Sequence, residues 1–405
     1  MKLLQICNEG NTGSVGTIAE SLGIFVIEKG WESYIAFARF ERPSKSNLIR
    51  IGNNLDVIFH GIESRIFDND GFCSRNATKQ LINKIEDIKP DLIHLHHLHG
   101  YFINVELLFK FILKSNIPVV WTFHDCWSFT GHCTYFDFVD CNKWKSHCNS
   151  CPQKLEYPKS IFFDNSRNNF SIKRELFTSI SRMTVVSVSN WLDKLVGQSF
   201  FKSINHLCIY NGIDLELFKP INNPDFIKSK YSIDDKFVIL GVATTWDRRK
   251  GLADFIELSK YIKNDEIIVL VGLSKEQRRK LPSNVIGLPR TENRIELAHL
   301  FAASDVFLNL STEETFGLTT AEALASGTPA IVYNKTASPE LVNSRTGYVV
   351  EKNDYLAIKG AIGEIRKNKK EFYKGNCRLR ACTLFNSNDV YNTYFELYNN
   401  MIYGF

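Results

Sequence analysis

No stretch of this 405-residue chain approaches the ~20 consecutive apolar residues that a membrane-spanning helix needs. The opening residues, Met-Lys-Leu-Leu-Gln-Ile-Cys-Asn-Glu-Gly-Asn, lack the long apolar core and cleavage site of a signal peptide. A cytoplasmic protein is therefore expected, with attachment to a membrane limited to its surface. Internal repeats and low-complexity segments are also missing. Charge of one sign is in short supply: the net +5 suits a patch that meets phosphates or an anionic membrane, but does not call for nucleic acid as a partner. Cysteine is not scarce. Ten of them, without an export signal, argue against a disulfide framework and for thiols or metal.

With 44% hydrophobic and 23% charged residues the composition is that of a globular protein, and 405 residues imply two domains. Thirty Phe and fifteen Tyr are many, and some are expected at the surface near a lipid-linked partner. Short apolar runs at Lys2–Cys7, Trp31–Ala38, Pro90–His99, Pro118–Phe123 and Val185–Ser189 alternate with helical patterns. The same alternation resumes at Lys236–Ala243, Glu266–Gly272 and Asn284–Leu288. This pattern predicts an α/β chain of doubly wound parallel sheets, with ligands at the carboxyl ends of strands.

One unit organises the second half. Val306–Leu310 has the length of a buried strand, and a polar turn follows it; a helix is predicted from Phe316 to about Ser326, stopped by Gly327 and Pro329. Glu314 stands at the mouth of that helix and Glu322 lies eight residues on, separated by ~80° around the axis and ~12 Å along it. The amides of Phe316, Gly317 and Leu318 would point out of the helix start, where the macrodipole favours an anion. A carboxylate for sugar hydroxyls beside amides for phosphate is the pairing a nucleotide-sugar site needs.

The stretch E-E-T-F-G-L-T-T-A-E-A-L-A-S-G-T-P resembles the Glu-x7-Glu signature of retaining GT-B glycosyltransferases of family 4. That resemblance implies two Rossmann-like domains with an interdomain cleft. It also implies transfer from a nucleotide sugar, with Glu314 on the transferred sugar and Glu322 on the donor ribose. Lys250-Gly251 is similar to the family's basic loop facing the diphosphate. The family's first basic residue would fall at Thr244, which leaves open whether Arg248 or Arg249 replaces it. Gly10, Gly13 and Gly16 resemble the glycine loop after strand one, and Gly287 to Arg290 stand where the family cradles the base. Thr122-Phe123-His124-Asp125 resembles a T-x-H-D element whose histidine lies over the sugar. The resemblance thus implies His124, Lys250 and Glu314 as catalytic. It implies Gly13, Arg249, Lys250, Leu288, Arg290, Glu314, Phe316, Gly317, Leu318 and Glu322 as donor-binding, with His97, His99 and Tyr101 on the acceptor side. His94, His96 and His97 follow strand spacing, which splits them between two faces and argues against a histidine metal site.

Between His124 and Pro158 lie Cys126, Cys133, Cys141, Cys148 and Cys151. Cys133, Cys141, Cys148 and Cys151 could supply four thiolates to a structural zinc, the last two with knuckle spacing. Unmetallated thiols and a redox role are the alternatives. H-D-C-W-S-F-T-G-H-C and C-P-Q-K-L-E-Y-P-K-S resemble the colanic-acid type of family 4 enzymes, from exopolysaccharide and O-antigen clusters. Asn211-Gly212-Ile213-Asp214 resembles the interdomain hinge. The domains expected are 1–204 on the acceptor side, carrying the Cys-rich insert 126–158, then 205–385 for the nucleotide sugar, and a final helix, 386–405, that packs on the first domain. The implied partners are a UDP- or GDP-sugar and an undecaprenyl-diphosphate-linked glycan, at the inner face of the cytoplasmic membrane. No cofactor is required for catalysis. A GT-B epimerase or phosphorylase, or a zinc-stapled binding protein without activity, are the alternatives.

Overall fold

The computed structural model describes residues 1–404, and the chain divides into two units: Met1–Ile209 with the segment from Val390 onward, and Tyr210–Asp389. The first unit holds seven parallel strands: β1 (Lys2–Ile6), β2 (Glu32–Phe37), β3 (Asn47–Arg50), β4 (Leu92–Leu95), β5 (Val119–Phe123), β6 (Met183–Ser187) and β7 (Asn205–Cys208). Their order is β3-β2-β1-β4-β5-β6-β7. The second unit has β8 (Phe237–Val242), β9 (Glu266–Val271), β10 (Val285–Leu288), β11 (Val306–Asn309), β12 (Ala330–Tyr333) and β13 (Gly347–Val350). These run β10-β9-β8-β11-β12-β13, all parallel. The order within the second sheet repeats that of the first six strands of the first sheet.

Both sheets follow from their sequences. The central strands are β-branched and aromatic runs covered on both faces, as parallel sheets require, and every residue of β4, β5 and β6 is buried. In each unit the strand order reverses at one place, between β1 and β4 and between β8 and β11. Such a switch point leaves a crevice at the carboxyl ends of the strands.

The expected boundary at Asn205 needs correction. Asn205–Cys208 pairs with β6 as the edge strand of the first sheet, so the chain changes unit only between Ile209 and Tyr210. Helix 387–403 (Ser387–Tyr403) returns to the first unit, where Val390, Tyr391, Tyr394 and Tyr398 join a core of Leu3, Leu22, Val26, Leu92 and Val120. The Tyr398 hydroxyl lies 2.7 Å from His94 Nδ1, and His94 Nε2 lies 2.8 Å from Thr122 Oγ1.

Candidate active site

The second unit's switch point is built by the loops after β8 and β11. After β8, the Asp247 side chain caps a turn by accepting from the amides of Arg249 and Lys250 at 2.9 and 3.2 Å. The turn ends at Gly251, whose φ of +74° favours glycine and whose absent Cβ would stand 2.3 Å from the Leu310 carbonyl. Glycine therefore lets the two loops touch. The Thr312 amide donates to the Arg249 carbonyl at 2.8 Å, and Lys250 Nζ meets Glu314 Oε1 at 2.5 Å. The predicted lysine and glutamate form one ion pair.

The helix after β11 starts later than the sequence suggests. It runs Leu318–Ala325, because Gly317 adopts φ +97° and cannot be its first helical residue. Phe316 is instead a buried anchor, its ring 5.9 Å from Tyr210 and 5.4 Å from Phe385. The amides of Phe316, Gly317 and Leu318 have no protein acceptor among the described residues, so they remain available to an anion. Glu322 is half-buried, and among the described residues no donor reaches its carboxylate. Burial pushes its pKa up to about 7, against the pull of Arg294. A carboxylate held in this way would gain from neutral hydroxyl donors, which stabilise its charged form without an ion pair.

The other donor-side residues lie around this crevice. Arg249 Nη2 turns onto Asp247 Oδ2 at 3.1 Å, whereas Arg290 Nη2 donates to the Thr244 carbonyl at 3.4 Å. Arg290 thus brings a guanidinium to the place where a basic side chain is missing. The Leu288 carbonyl already accepts the amides of Gly272 and Leu273, at 3.1 and 3.0 Å. Gly13 belongs to the first unit, at the start of the helix Gly13–Glu28; a Cβ there would meet the Glu9 carboxylate at 2.1 Å.

The first unit's switch point is a cluster of buried imidazoles. Gln5 donates its amide to the Ala19 carbonyl at 2.7 Å, so its oxygen accepts from His96 Nε2 at 3.1 Å. His96 Nδ1 is then an acceptor, and His124 Nε2 donates to it at 3.1 Å. Chained hydrogen bonds thereby assign His124 the tautomer whose basic nitrogen is Nδ1. Burial, followed by the neighbouring imidazoles, pushes the pKa of His124 well below the ordinary value, so it stays neutral.

Strand β4 ends at Leu95, so the alternation of faces stops there and the separation of the histidines expected from strand spacing does not hold. His97 and His99 converge on Asp125, with Nε2 atoms 3.3 and 2.6 Å from Oδ2. Among the described residues these three are the group whose metal-ligating atoms lie within 4.8 Å of one another. Burial opposes charge on His99, but Asp125 outweighs it and raises the pKa; burial also opposes charge on Asp125, yet the two histidines hold it well below the carboxylate range. His97 is pushed down to about 4, mainly by burial. His99 Nδ1 also meets the Tyr157 hydroxyl at 3.1 Å. Tyr101 is buried, and its amide donates to Asp70 Oδ1 at 3.1 Å.

The cysteine-rich insert gathers its four named thiols around one cavity of about 10 Å³, room for a single ion or water. Cys148 Sγ accepts the Gly131 amide at 3.3 Å. Lys143 Nζ holds the turn between Cys148 and Cys151 through the carbonyls of Asn149 and Ser150, at 2.9 and 3.0 Å.

Comparison with known proteins now bears on this geometry. Residues 15–217 match the model of Glycosyltransferase Family 4, and residues 223–375 that of Glycosyl transferases group 1. The chain belongs to glycosyltransferase family 4. It is 23% identical over 314 residues to WcaC of Escherichia coli K12, a glycosyl transferase named for colanic acid biosynthesis, covering 73% of this chain and 72% of that one. It is 27% identical over 261 residues to an Escherichia coli UDP-Gal:alpha-D-GlcNAc-diphosphoundecaprenol alpha-1,3-galactosyltransferase, covering 56% of this chain and 67% of that one. Its fold is similar to that of HepE from Anabaena, solved with UDP-glucose, at a TM-score of 0.69 and 15% identity over 98% of this chain and 99% of that one. This family 4 glycosyltransferase has the two Rossmann-like halves of the GT-B fold.

Sequence reasoning missed Asp125 as the partner of His97 and His99, and missed Gln5 and His96 behind His124. Asp125 could have been found, since it completes the T-x-H-D element. Gln5 carries no local signal; only the sheet brings it beside His96.

Proposed function

We propose that this enzyme transfers a sugar, with retention of anomeric configuration, from a nucleotide diphosphate sugar to a hydroxyl of a glycan carried on undecaprenyl diphosphate. One observation carries the reading. A lysine–glutamate pair, three amides without acceptors and a half-buried carboxylate without a donor lie at or beside a single switch point. The amides and Lys250 receive the diphosphate, Glu322 accepts from the ribose hydroxyls, and Glu314 orients the sugar and Lys250. The bond from the anomeric carbon to the phosphate oxygen breaks, and the acceptor oxygen bonds to that carbon. The departing phosphate takes the acceptor's proton. Lys250 and Arg290 stabilise the charge left on the diphosphate, so the scheme needs no divalent ion there. His124, neutral, serves as a hydrogen-bonding partner of the sugar. HepE, solved with UDP-glucose, and the diphosphoundecaprenol galactosyltransferase support the donor and acceptor classes. A role in O-antigen or exopolysaccharide synthesis, at the inner membrane face, accords with the likeness to WcaC.

The test is incubation of the purified protein with UDP-, GDP- and dTDP-sugars and a synthetic lipid-diphosphate monosaccharide, with and without EDTA, read by mass spectrometry and by product anomeric configuration. Transfer from one donor, unaffected by EDTA and with retained configuration, is expected. Folded protein that neither transfers nor binds any nucleotide would overturn the reading.

For the insert we propose a structural zinc on Cys133, Cys141, Cys148 and Cys151. The four line one cavity but no three of their sulfurs lie within 4.8 Å of one another, so the ion would draw them together. Four thiolates leave no open position for catalysis. Metal analysis of the purified protein should give one zinc per chain, lost together with the insert's protease resistance in Cys148→Ser. Metal-free protein with four thiols free to react and a protected insert would refute the assignment.

A further inference from the structure

The helix Asn54–Phe67 is turned inside out. It buries His60, Gly61 and Ser64, and it exposes Leu55, Ile58, Phe59 and Ile62. Those four positions recur at i, i+3, i+4 and i+7, the spacing of one continuous stripe. Phe59 is 65% exposed and Leu55 62% exposed, so the stripe has no cover among the described residues.

Two charges of this helix, Asp56 and Arg65, are tied to neighbouring groups, and Glu63 lies exposed at the end of the stripe. Asp56 accepts the Asn53 amide at 2.8 Å as part of a capping box. Arg65 donates to the Gly61 carbonyl at 3.1 Å, and its guanidinium lies over the Tyr101 ring.

A second apolar element continues the stripe. Ile161, Phe162 and Phe163 are consecutive and all exposed, Phe162 to 68%. The Ile161 and Phe163 amides donate to the Arg65 and Ile66 carbonyls at 2.7 and 3.1 Å, and the Phe163 ring stacks on Phe67 at 5.7 Å. This tip is thus fastened to the end of the helix. Lys154 Nζ braces it from beneath through the Phe162 carbonyl at 3.2 Å, and Lys159 lies exposed in the same loop. Tyr157, also on that loop, meets His99 of the acceptor-side cluster.

We propose that the stripe and the tip form the surface by which this enzyme lies on an anionic lipid bilayer. The inference rests on the lipid-linked acceptor proposed above, and names the surface that meets the lipid. A helix lying in the interface needs an uninterrupted apolar face, and a projecting tip of three large side chains suits insertion among acyl chains. Lys159, exposed beside the tip, would sit at headgroup level, where anionic lipids attract it. The loop carrying the tip also carries Tyr157, so a docked bilayer would hold a lipid-linked acceptor near the residues assigned to receive it.

The experiment is flotation of the full-length protein with vesicles of phosphatidylglycerol and phosphatidylcholine, beside Phe59→Ser/Ile62→Ser, Phe162→Ser/Phe163→Ser and, as a control in the other unit, Phe372→Ser. The wild type and the control are expected to float, and each double variant to partition about tenfold less or weaker still. Thermal melts should be unchanged, because all these side chains are exposed. Light scattering on the same samples examines the alternative occupant, a second copy of the chain. A wild-type dimer that dissociates in the double variants, without vesicle binding, would overturn the proposal, as would flotation equal in all proteins. Transfer to a short-chain, water-soluble acceptor separates the two readings. Intact transfer without flotation sinks the docking surface alone, whereas flotation without transfer from any donor counts against the function alone.

Discussion

The two switch points share a strand order and differ in electrostatics. In the first unit, β1 and β4 part around imidazoles that burial keeps neutral, and the one clear ion pair is the Asp125 carboxylate with His99. In the second, β8 and β11 part around a half-buried lysine–glutamate pair, amides without acceptors and a carboxylate without a donor among the described residues. One crevice is wired internally, with Gln5, His96 and His124 in one chain of hydrogen bonds and His99 bonded to Asp125. The other keeps groups unanswered among the described residues, which is how a site waits for a diphosphate and a ribose. The same fold thus supports a hydrogen-bonding surface in one unit and an anion receptor in the other.

The sharpest way to break this contrast is to remove charge from the second crevice. Lys250→Ala or Glu314→Gln should lower kcat/KM about 10³-fold, the scale of losing an aimed electrostatic group in a preorganised site. Steady-state kinetics check it, and a loss below tenfold would place the diphosphate elsewhere. His124→Ala, in the first crevice, should cost about 10²-fold in kcat while leaving nucleotide affinity within about twofold. Loss of nucleotide binding in that variant would erase the division of labour.

A smaller effect is expected from pH. Glu322, raised to about 7, carries less charge as the medium is acidified, so donor affinity should fall about tenfold from pH 8 to pH 6. Calorimetric titrations should show that slope in the wild type and its absence in Glu322→Gln.

Stability should move in opposite directions in the two units. Folded His97 titrates near 4 against an ordinary 6.5, so the first unit binds fewer protons than its unfolded chain and loses stability as pH falls from about 6.5 to 4. His99, raised by Asp125, offsets part of that loss. Folded Glu322 titrates near 7 against an ordinary 4.5, so its contribution grows as pH falls from about 7 to 4.5. Each effect is about 3 kcal/mol at most. Hydrogen exchange compared at equal intrinsic rates should show protection falling in β4 and β5 while it holds or rises in β11 and β12.

How far the sequence went follows from the range of the interactions. The second crevice was legible because its parts are local: Lys250 precedes Gly251, and Glu314 and Glu322 bracket one helix start. The first was only partly so. Gln5 and His96 are 91 residues apart, and His94 and Tyr398 are 304 apart, and no local pattern encodes either pair. The helix at 54–67 was missed for a different reason. Apolar periodicity announces a helix but not which way it faces, and this one turns its apolar residues outward. The boundary expected at Asn205 fell short of the N-G-x-D element, because edge pairing to β6 carries the first sheet on through Cys208.

The central claim is that the donor's diphosphate rests on the helix start at 316–318. Hydrogen exchange at those backbone amides, with and without the donor that supports transfer, tests it most directly. Strong protection of Phe316, Gly317 and Leu318, together with residues 247–251, is the expected result. Donor-induced protection confined to the loops of the first unit, with these three amides unchanged, would contradict it.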